Sequence, residues 1–397
     1  MERREVLRWL GAATLASCSR TRGDERSLVF LHQPLWGDVA PFAALLDEFR
    51  RTHPDITLIT RTAPSASDAL HQYLLTTLEG GGDLDVVVVD TIWVAEFARA
   101  GWIAELPVSP DEIRRELVTA AAESVIVDGR VWALPWWIDV GVLYTRTDVA
   151  DPPRTFDELM IAARRGSPGG YLFQGRQYEG LVCNVYETIW GFGGASDAHL
   201  VLNTREARAA LSFLAALVRE GVSPRAVTSA GEEECRRTFQ SGRAALMRNW
   251  PYAWAELQHS AIAGKVAMTA LPSYGGSPGN GCLGGWHLAM SARVPKAKQP
   301  FATALIRHLT SEASQAVLAR AFGRAPARRA LYRRDDLPAT RLLEGIVEHA
   351  RPRPVSPWYP RVSDVLQGEF SAVVSGIRTP SDALSRVQKQ IDRLVGA

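Results

Sequence analysis

Cysteine is scarce in this chain. Four occur in 397 residues, at Cys18, Cys183, Cys235 and Cys282. Beyond Cys18 the count is odd and the spacing wide, which excludes a disulfide scaffold, and no C-x-x-C pair offers a metal or redox site. One bridge among Cys183, Cys235 and Cys282 stays open. Past the first eighteen residues no stretch approaches the ~18 uninterrupted apolar residues of a membrane span. A dense basic stripe is missing too: 45 basic and 43 acidic residues are spread along the chain for a net charge of +2. The electrostatic footprint of a nucleic-acid binder is therefore absent. The eight histidines are dispersed, with none of the paired spacing of a zinc site.

Two catalytic-looking motifs are coincidences of a glycine-rich tract. Gly275-Gly276-Ser277-Pro278-Gly279 matches G-x-S-x-G, but a nucleophile elbow needs a strand before the serine and a helix after it. Gly279-Asn280-Gly281-Cys282-Leu283-Gly284 matches G-x-G-x-x-G, yet it precedes an expected strand, so no helix N-terminus is available for a pyrophosphate. Nothing here performs recognisable covalent chemistry, and no cofactor is expected.

What is present begins with a leader. Arg3, Arg4 and Arg8 form a basic n-region, Trp9 to Leu15 a short apolar run, and Ala16-Ser17 precede Cys18. That order reads as a secretory leader occupying residues 1–18, too short to span a membrane. The cut just before a cysteine resembles the lipobox of bacterial lipoproteins, with Cys18 as the lipid-bearing first residue. Arg3-Arg4-Glu5-Val6-Leu7-Arg8 also looks like a twin-arginine export signal.

With 46% hydrophobic and 22% charged residues the rest is an ordinary globular composition. Its length exceeds one simple core, so two domains are expected. Leu28 to Leu31 and Ile56 to Ile59 read as strands. Phe42, Leu45, Leu46 and Phe49 recur at helical spacing over Pro41 to Arg51. Leu70, Tyr73, Leu74 and Leu78 mark a second helix closed by Gly80-Gly81-Gly82. Val86 to Val89 is a β-branched run suited to a strand buried on both faces. This β-α-β-α-β alternation predicts an α/β fold with a parallel sheet. Further helices are expected at Phe156–Ala163, Val185–Trp190, Ala207–Val218, Phe301–Leu309 and Ala313–Phe322, with a last one from Thr379-Pro380. Tyr274 to Gly285, with six glycines, reads as a loop, and Leu288-Ala289-Met290 as a strand returning to the first sheet.

Twelve tryptophans are the unusual part of the composition, against nine tyrosines and twelve phenylalanines. Isolated indoles are usually core. Here five clusters sit beside backbone breakers or in segments without a clear period. They are Asp90 with Trp93, Trp136-Trp137-Ile138-Asp139, Asn249-Trp250-Pro251-Tyr252, Gly284-Gly285-Trp286-His287, and Arg351-Pro352-Arg353-Pro354 with Trp358-Tyr359-Pro360. A pyranose has C–H faces that lie flat on indole and a rim of hydroxyls needing fixed partners. Tryptophan supplies the area, aspartate two acceptor oxygens, and arginine a fork of donors. Asp90 ends the valine strand, at the edge where open α/β sheets place ligands.

These residues resemble the extracellular solute-binding proteins of ABC sugar importers, above all the trehalose/maltose-binding branch. The matching segments are Asp85 to Leu106, Leu134 to Arg146, Gln174 to Gly194, Asn249 to Trp254, Leu283 to His287 and Pro352 to Val365. The resemblance implies a two-lobed periplasmic-binding-protein fold, type II-like, with the ligand cleft between hinged lobes. It implies lobe one at 27–138 and 287–340, and lobe two at 139–286 and 341–397. Sugar contacts carried over residue by residue fall on Asp90, Asp139, Trp250, Gly285, Trp286 and Arg353. Tyr252 belongs to the Trp250 cluster, Trp137 stands where relatives carry tyrosine, and Arg61 is placed in the loop after the second strand. The implied partners are a disaccharide-like sugar, the permease subunits and the membrane through the lipid anchor, with the protein a monomer at the periplasmic or outer cell surface. A shorter region near Pro168, and Met247 in place of an acidic residue, leave the sugar open. The alternatives are another polar solute, such as a polyol or glycerophosphodiester, or a secreted glycosidase using Asp90 and Asp139.

Overall fold

The computed structural model describes residues 26–35, 37–65, 67–165, 169–195 and 200–396. The leader, the twin-arginine motif, Cys18 and Pro168 lie outside the described residues. The chain opens with β1 (Ser27–His32), α1 (Ala40–Thr52), β2 (Thr57–Thr62), α2 (Ser67–Glu79) and β3 (Val86–Asp90). Helices α3 (Val94–Arg99), α4 (Pro110–Glu116) and α5 (Thr119–Glu123) precede a small hairpin, β4 (Ile126–Val127) and β5 (Arg130–Val131). Then come β6 (Leu134–Val140), β7 (Val142–Arg146), α6 (Phe156–Arg165), β8 (Tyr171–Leu172), α7 (Glu179–Gly191) and α8 (Arg205–Arg219). Next are α9 (Glu232–Gln240), β9 (Leu246–Asn249), α10 (Ala253–Gln258), β10 (Val266–Thr269) and β11 (Leu283–Met290). The last quarter of the chain is helical: α11 (Gln299–Leu309), α12 (Glu312–Phe322), α13 (Pro338–Arg341), α14 (Glu344–Val347), α15 (Tyr359–Val374) and α16 (Pro380–Val395).

Two sheets organise these elements. The first has the order β2-β1-β3-β11-β6 and the second β10-β7-β9-β8. Strands β2, β1 and β3 run parallel, as the alternation of strand and helix requires. Val86 to Val89 are fully buried, which explains why they read as one continuous apolar run. Strand β11 returns antiparallel between β3 and β6. Helix α1 carries its proline in the first turn and buries Phe42, Leu45, Leu46 and Phe49.

The strands that cross between the sheets decide the architecture. Strand β6 belongs to the first sheet and β7 to the second, with only Gly141 between them. Gly141 N–H donates to Cys282 O at 3.2 Å, and Arg351 forms a parallel bridge with Cys282. Three stretches of chain thus run side by side where the two lobes join. Glycine is required at 141 by space: a Cβ there would sit 1.9 Å from Glu187 Oε1. That carboxylate is ion-paired with Arg248 in full burial and also accepts the Cys282 N–H at 2.9 Å. The junction is therefore stitched to α7 and β9 at one point.

Several expectations need correction. Trp136-Trp137-Ile138-Asp139 is part of β6; both faces of that strand are covered, so no alternation shows in its sequence. Strand β11 begins at Leu283, so Gly284, Gly285 and Trp286 lie in a strand and the loop ends earlier, at Cys282. Strand β2 runs to Thr62, which puts Arg61 inside it. Helix α7 starts at Glu179, six residues before its expected start, and every residue from Gly180 to Gly191 is buried, so no amphipathic stripe marked its first turns. Trp358-Tyr359-Pro360 opens α15, a helix whose first turn accommodates the proline. The three described cysteines are free and buried, with Cys282 Sγ 3.5 Å from the Cys183 carbonyl.

Candidate functional site

Sheet register brings the first group of residues together. On β11, Trp286 pairs with Asp90 of β3 on one side and with Trp137 of β6 on the other, while Gly284 pairs with Asp139. Gly285 has φ +120°, and a Cβ there would lie 2.5 Å from Trp137 O. Only glycine fits such a conformation at so close an approach. Its carbonyl accepts from Thr91 Oγ1 at 3.1 Å, tying β11 to the turn after Asp90. A bulge between Trp286 and His287 re-aims the strand at this point. Trp286 is left partly exposed, edge-on to the buried Trp93 at 5.9 Å.

The second sheet supplies the facing wall. Trp250 follows β9 and is partly exposed; a Cβ on Gly284 would lie 3.5 Å from both its ring and Asp139 Cβ. Asp139 of the first sheet and Trp250 of the second thus meet over Gly284. Trp250 is fixed by its Nε1–H, which donates to Glu232 Oε1 at 3.2 Å, and by the Arg248 guanidinium 3.9 Å over its ring. Tyr144 O–H donates to the Trp250 carbonyl at 2.9 Å. Tyr252 O–H donates to Glu233 Oε1 at 2.8 Å.

The two aspartates are partly open to the cleft yet surrounded by protein. Burial pushes the Asp90 carboxyl up to about 6, against the opposing pull of Arg353. Asp90 Oδ1 accepts the Ile92 N–H at 3.3 Å and Oδ2 the Ser67 hydroxyl at 3.5 Å. Burial also raises Asp139 to about 6; Arg324 and Arg248 draw it down, while Asp90 and Glu232 push it further up. Carboxylates held this far above their ordinary range are short of donors, which hydroxyls of a ligand can supply.

Arg353 is buried and already engaged. It donates to Glu179 Oε1 at 2.5 Å and to Leu283 O at 3.1 Å, leaving Nε without a partner. Glu179 is held in turn by Tyr359 O–H at 2.8 Å and by Ser363. Trp137 is fully buried against Trp136 at 4.3 Å, with Arg324 4.9 Å over its ring, and its Nε1 has no partner. Arg61 stands apart: Asp83, at the opposite end of β3 from Asp90, grips it bidentately at 2.7 Å. Met247 is buried in β9, its sulfur 3.4 Å from Asn249 Nδ2.

Structure thus gathers Asp90, Trp137, Asp139, Trp250, Gly285, Trp286 and Arg353, with Tyr252 on the second wall, and leaves Arg61 outside. It adds Glu179, Glu232, Arg248 and Arg324, which no local pattern marked. Among the described residues no group of three His, Cys, Asp or Glu is placed to hold a metal ion. Ser277 lies in the loop between β10 and β11, its carbonyl accepting from Ser273 Oγ at 2.7 Å.

Residues 34–316 match the family model of the bacterial extracellular solute-binding proteins. The chain belongs to that family. A probable ABC transporter-binding protein of Deinococcus radiodurans is 33% identical over 362 residues, covering 84% of this chain and 85% of the relative. The maltose-bound MalE3 of T. maritima superposes with a TM-score of 0.83 at 34% identity, over 93% of this chain and 99% of that one. The GacH receptor of Streptomyces glaucescens shares the fold, with a TM-score of 0.78 at 21% identity over 93% and 98%. This solute-binding protein is therefore the substrate-recognising component of an ABC transporter, a two-lobed molecule of a family that works outside the cytoplasm and is not catalytic. Among the described residues no helix is long and apolar enough to cross a membrane.

Proposed function

We propose that this solute-binding protein captures a disaccharide such as trehalose or maltose in the cleft between its sheets and delivers it to the permease subunits of an importer. The observation that carries this reading is the meeting of Asp139 and Trp250 over Gly284, with Asp90 and Trp286 beside them. Two solvent-facing indoles offer flat apolar area, and two carboxylates short of hydrogen-bond donors offer acceptors, which together suit the faces and rim of a sugar. The unpartnered Nε–H groups of Arg353 and Trp137 are donors for the same ligand. The 34% identical MalE3 was crystallised with maltose, which supports the same ligand class here.

The contacts we assign are Asp90, Trp137, Asp139, Trp250, Tyr252, Gly285, Trp286 and Arg353. Arg61, paired with Asp83, has no role in this assignment. The lobes of 27–138 with 287–340, and 139–286 with 341–397, are proposed with their first two cuts drawn to Gly141 and Cys282. The mature protein is a monomer tethered by a lipid on Cys18, and sugar leaves it unaltered.

A thermal-shift and calorimetric panel including labelled trehalose and maltose tests this reading. Retention of an intact disaccharide is expected. Cleavage of the label, or binding of polyols and phosphodiesters with no sugar retained, removes it.

A further inference from the structure

Arg324 lies two residues past the end of α12, just after a turn made by Gly323 in the left-handed conformation at φ +63°. Its guanidinium covers Trp137 at 4.9 Å, and its Nε is buried without a hydrogen-bond partner. A buried donor left unpaired is costly, so a native site that keeps one has a physical reason for it. Burial pulls the Arg324 pKa below the ordinary arginine value, against the opposing pull of the nearby Asp139 carboxylate. No direct hydrogen bond joins Arg324 to Asp139.

Arg324 also lines a cavity of 510 Å³, together with Glu233, Arg236, Tyr252 and Glu256. The cavity is lined by Arg324 from the segment after α12, by α9 and by the start of α10. Its remaining polar groups are paired among themselves. Glu233 accepts from Tyr252 O–H at 2.8 Å and from Arg236 Nη2 at 2.8 Å, and Glu256 is 3.6 Å from Arg236. Arg324 is the donor left over. Pockets of ~300–1,000 Å³ hold small organic ligands.

We propose that Arg324 is a ligand-binding residue that joins the unit held at Asp139 to a second polyhydroxylated unit seated in this cavity toward Tyr252. Vicinal hydroxyls both accept and donate, so one of them answers Arg324 while donating to Asp139. The cavity carries two guanidinium groups and two carboxylates, so it suits a neutral ligand, and an anion entering it meets Glu233 and Glu256. Arg324 thereby sets a preference for two linked rings over a single one. The inference rests on the sugar-binding reading given above.

Titration calorimetry on the full-length protein with maltose, trehalose, glucose and glucose 1-phosphate tests it, using wild type, R324A, R324M and R324K. R324M keeps an apolar stem over Trp137 and removes every donor. Expected is a loss of tenfold or more in affinity for the disaccharide in R324A and R324M, partial recovery in R324K, and collapse of the preference for disaccharide over glucose. If R324A melts below the assay temperature, R324M and R324K carry the comparison. R324M binding the disaccharide like wild type, with only R324A impaired, makes Arg324 a prop for Trp137 and overturns the assignment. Tighter binding of glucose 1-phosphate than of either disaccharide by wild type overturns the neutral-ligand claim. Wild type binding no sugar at all removes the sugar reading and this inference together, whereas wild-type binding untouched by every Arg324 variant removes only this inference.

Discussion

Trp286 and Asp139 show how single side chains divide the work of the cleft. Trp286 stands on a bulged strand, braced by Trp93 yet partly exposed, so its removal uncovers little core. W286A is expected to lower sugar affinity by ~2 kcal/mol or more, the range of a binding hot spot, while the protein stays folded. Calorimetry beside circular dichroism checks this; a folded W286A with unchanged affinity removes Trp286 from the site. Asp139 carries a signed pH dependence. Its folded-state pKa of about 6 lies above the ordinary 3.8, so between these values the folded protein holds a proton that the unfolded chain has released. The stability contributed by that proton is present at low pH and lost as pH rises through about 6. D139N does not titrate, so its melting temperature should gain on wild type as pH goes from 4 to 7. Sugar affinity of wild type should rise over the same window, because a hydroxyl donates to the ionised form. His287, buried and neutral with its pKa lowered to about 3, has the opposite sign: it costs stability as pH falls below 6.5. Comparison of D139N with wild type cancels that term. A melting difference that stays flat with pH rules out the raised Asp139 pKa.

At the scale of the element, β11 is the member that everything else depends on. It pairs with β3 and β6, delivers Trp286 beside Asp90, and at its start meets Gly141 and Arg351 where the sheets join. Gly285 allows this by combining a left-handed φ with backbone 2.5 Å from where a Cβ would be. G285A is expected to destabilise the fold by at least ~1–3 kcal/mol, the cost of such strained backbone positions, and to displace Trp286. Denaturant unfolding and sugar titration should fail together. If G285A keeps both wild-type stability and affinity, the close approach is not a constraint. Helix α7 contributes from beneath: Glu187 meets Arg248 and the Cys282 N–H, and Glu179 holds Arg353. Residues of the proposed site are thus positioned in part by α7.

For the molecule as a whole, the three adjacent crossings are expected to let one sheet move against the other, as in hinged receptors. Asp90 and Trp286 sit on one wall and Trp250 on the other. A ligand touching both favours the closed arrangement by its differential contacts alone. Small-angle scattering is expected to show a smaller radius of gyration at saturating sugar, with the change reduced in W286A and in D139N at equal sugar concentration. An unchanged radius in wild type at saturation counts against closure.

Local chemistry in the sequence was enough for the parallel part of the first sheet, β1 to β3. Valine-rich β3, the stripe of α1 and the glycine stop after α2 each announce a period or a breaker, and the alternation of strand and helix then dictates parallel pairing. The aspartates and indoles proposed for the cleft stood out in the sequence because each lies beside a strand end or a backbone breaker, and because whole segments resemble those of sugar-binding proteins. Residues whose role comes from partners distant in sequence were not legible. Arg324 reads as one more charge after a helix until Trp137, Asp139 and Tyr252 converge on it. Glu179 and Glu187 fall in a helix buried all round, where periodicity carries no signal. Arg61, which the resemblance offered as a contact, pairs bidentately with Asp83, twenty-two residues away, a neighbour no local pattern announced. Sequence determines which side chains can stack or pair; which ones do is decided by strand register and by the neighbours that reach each charge first.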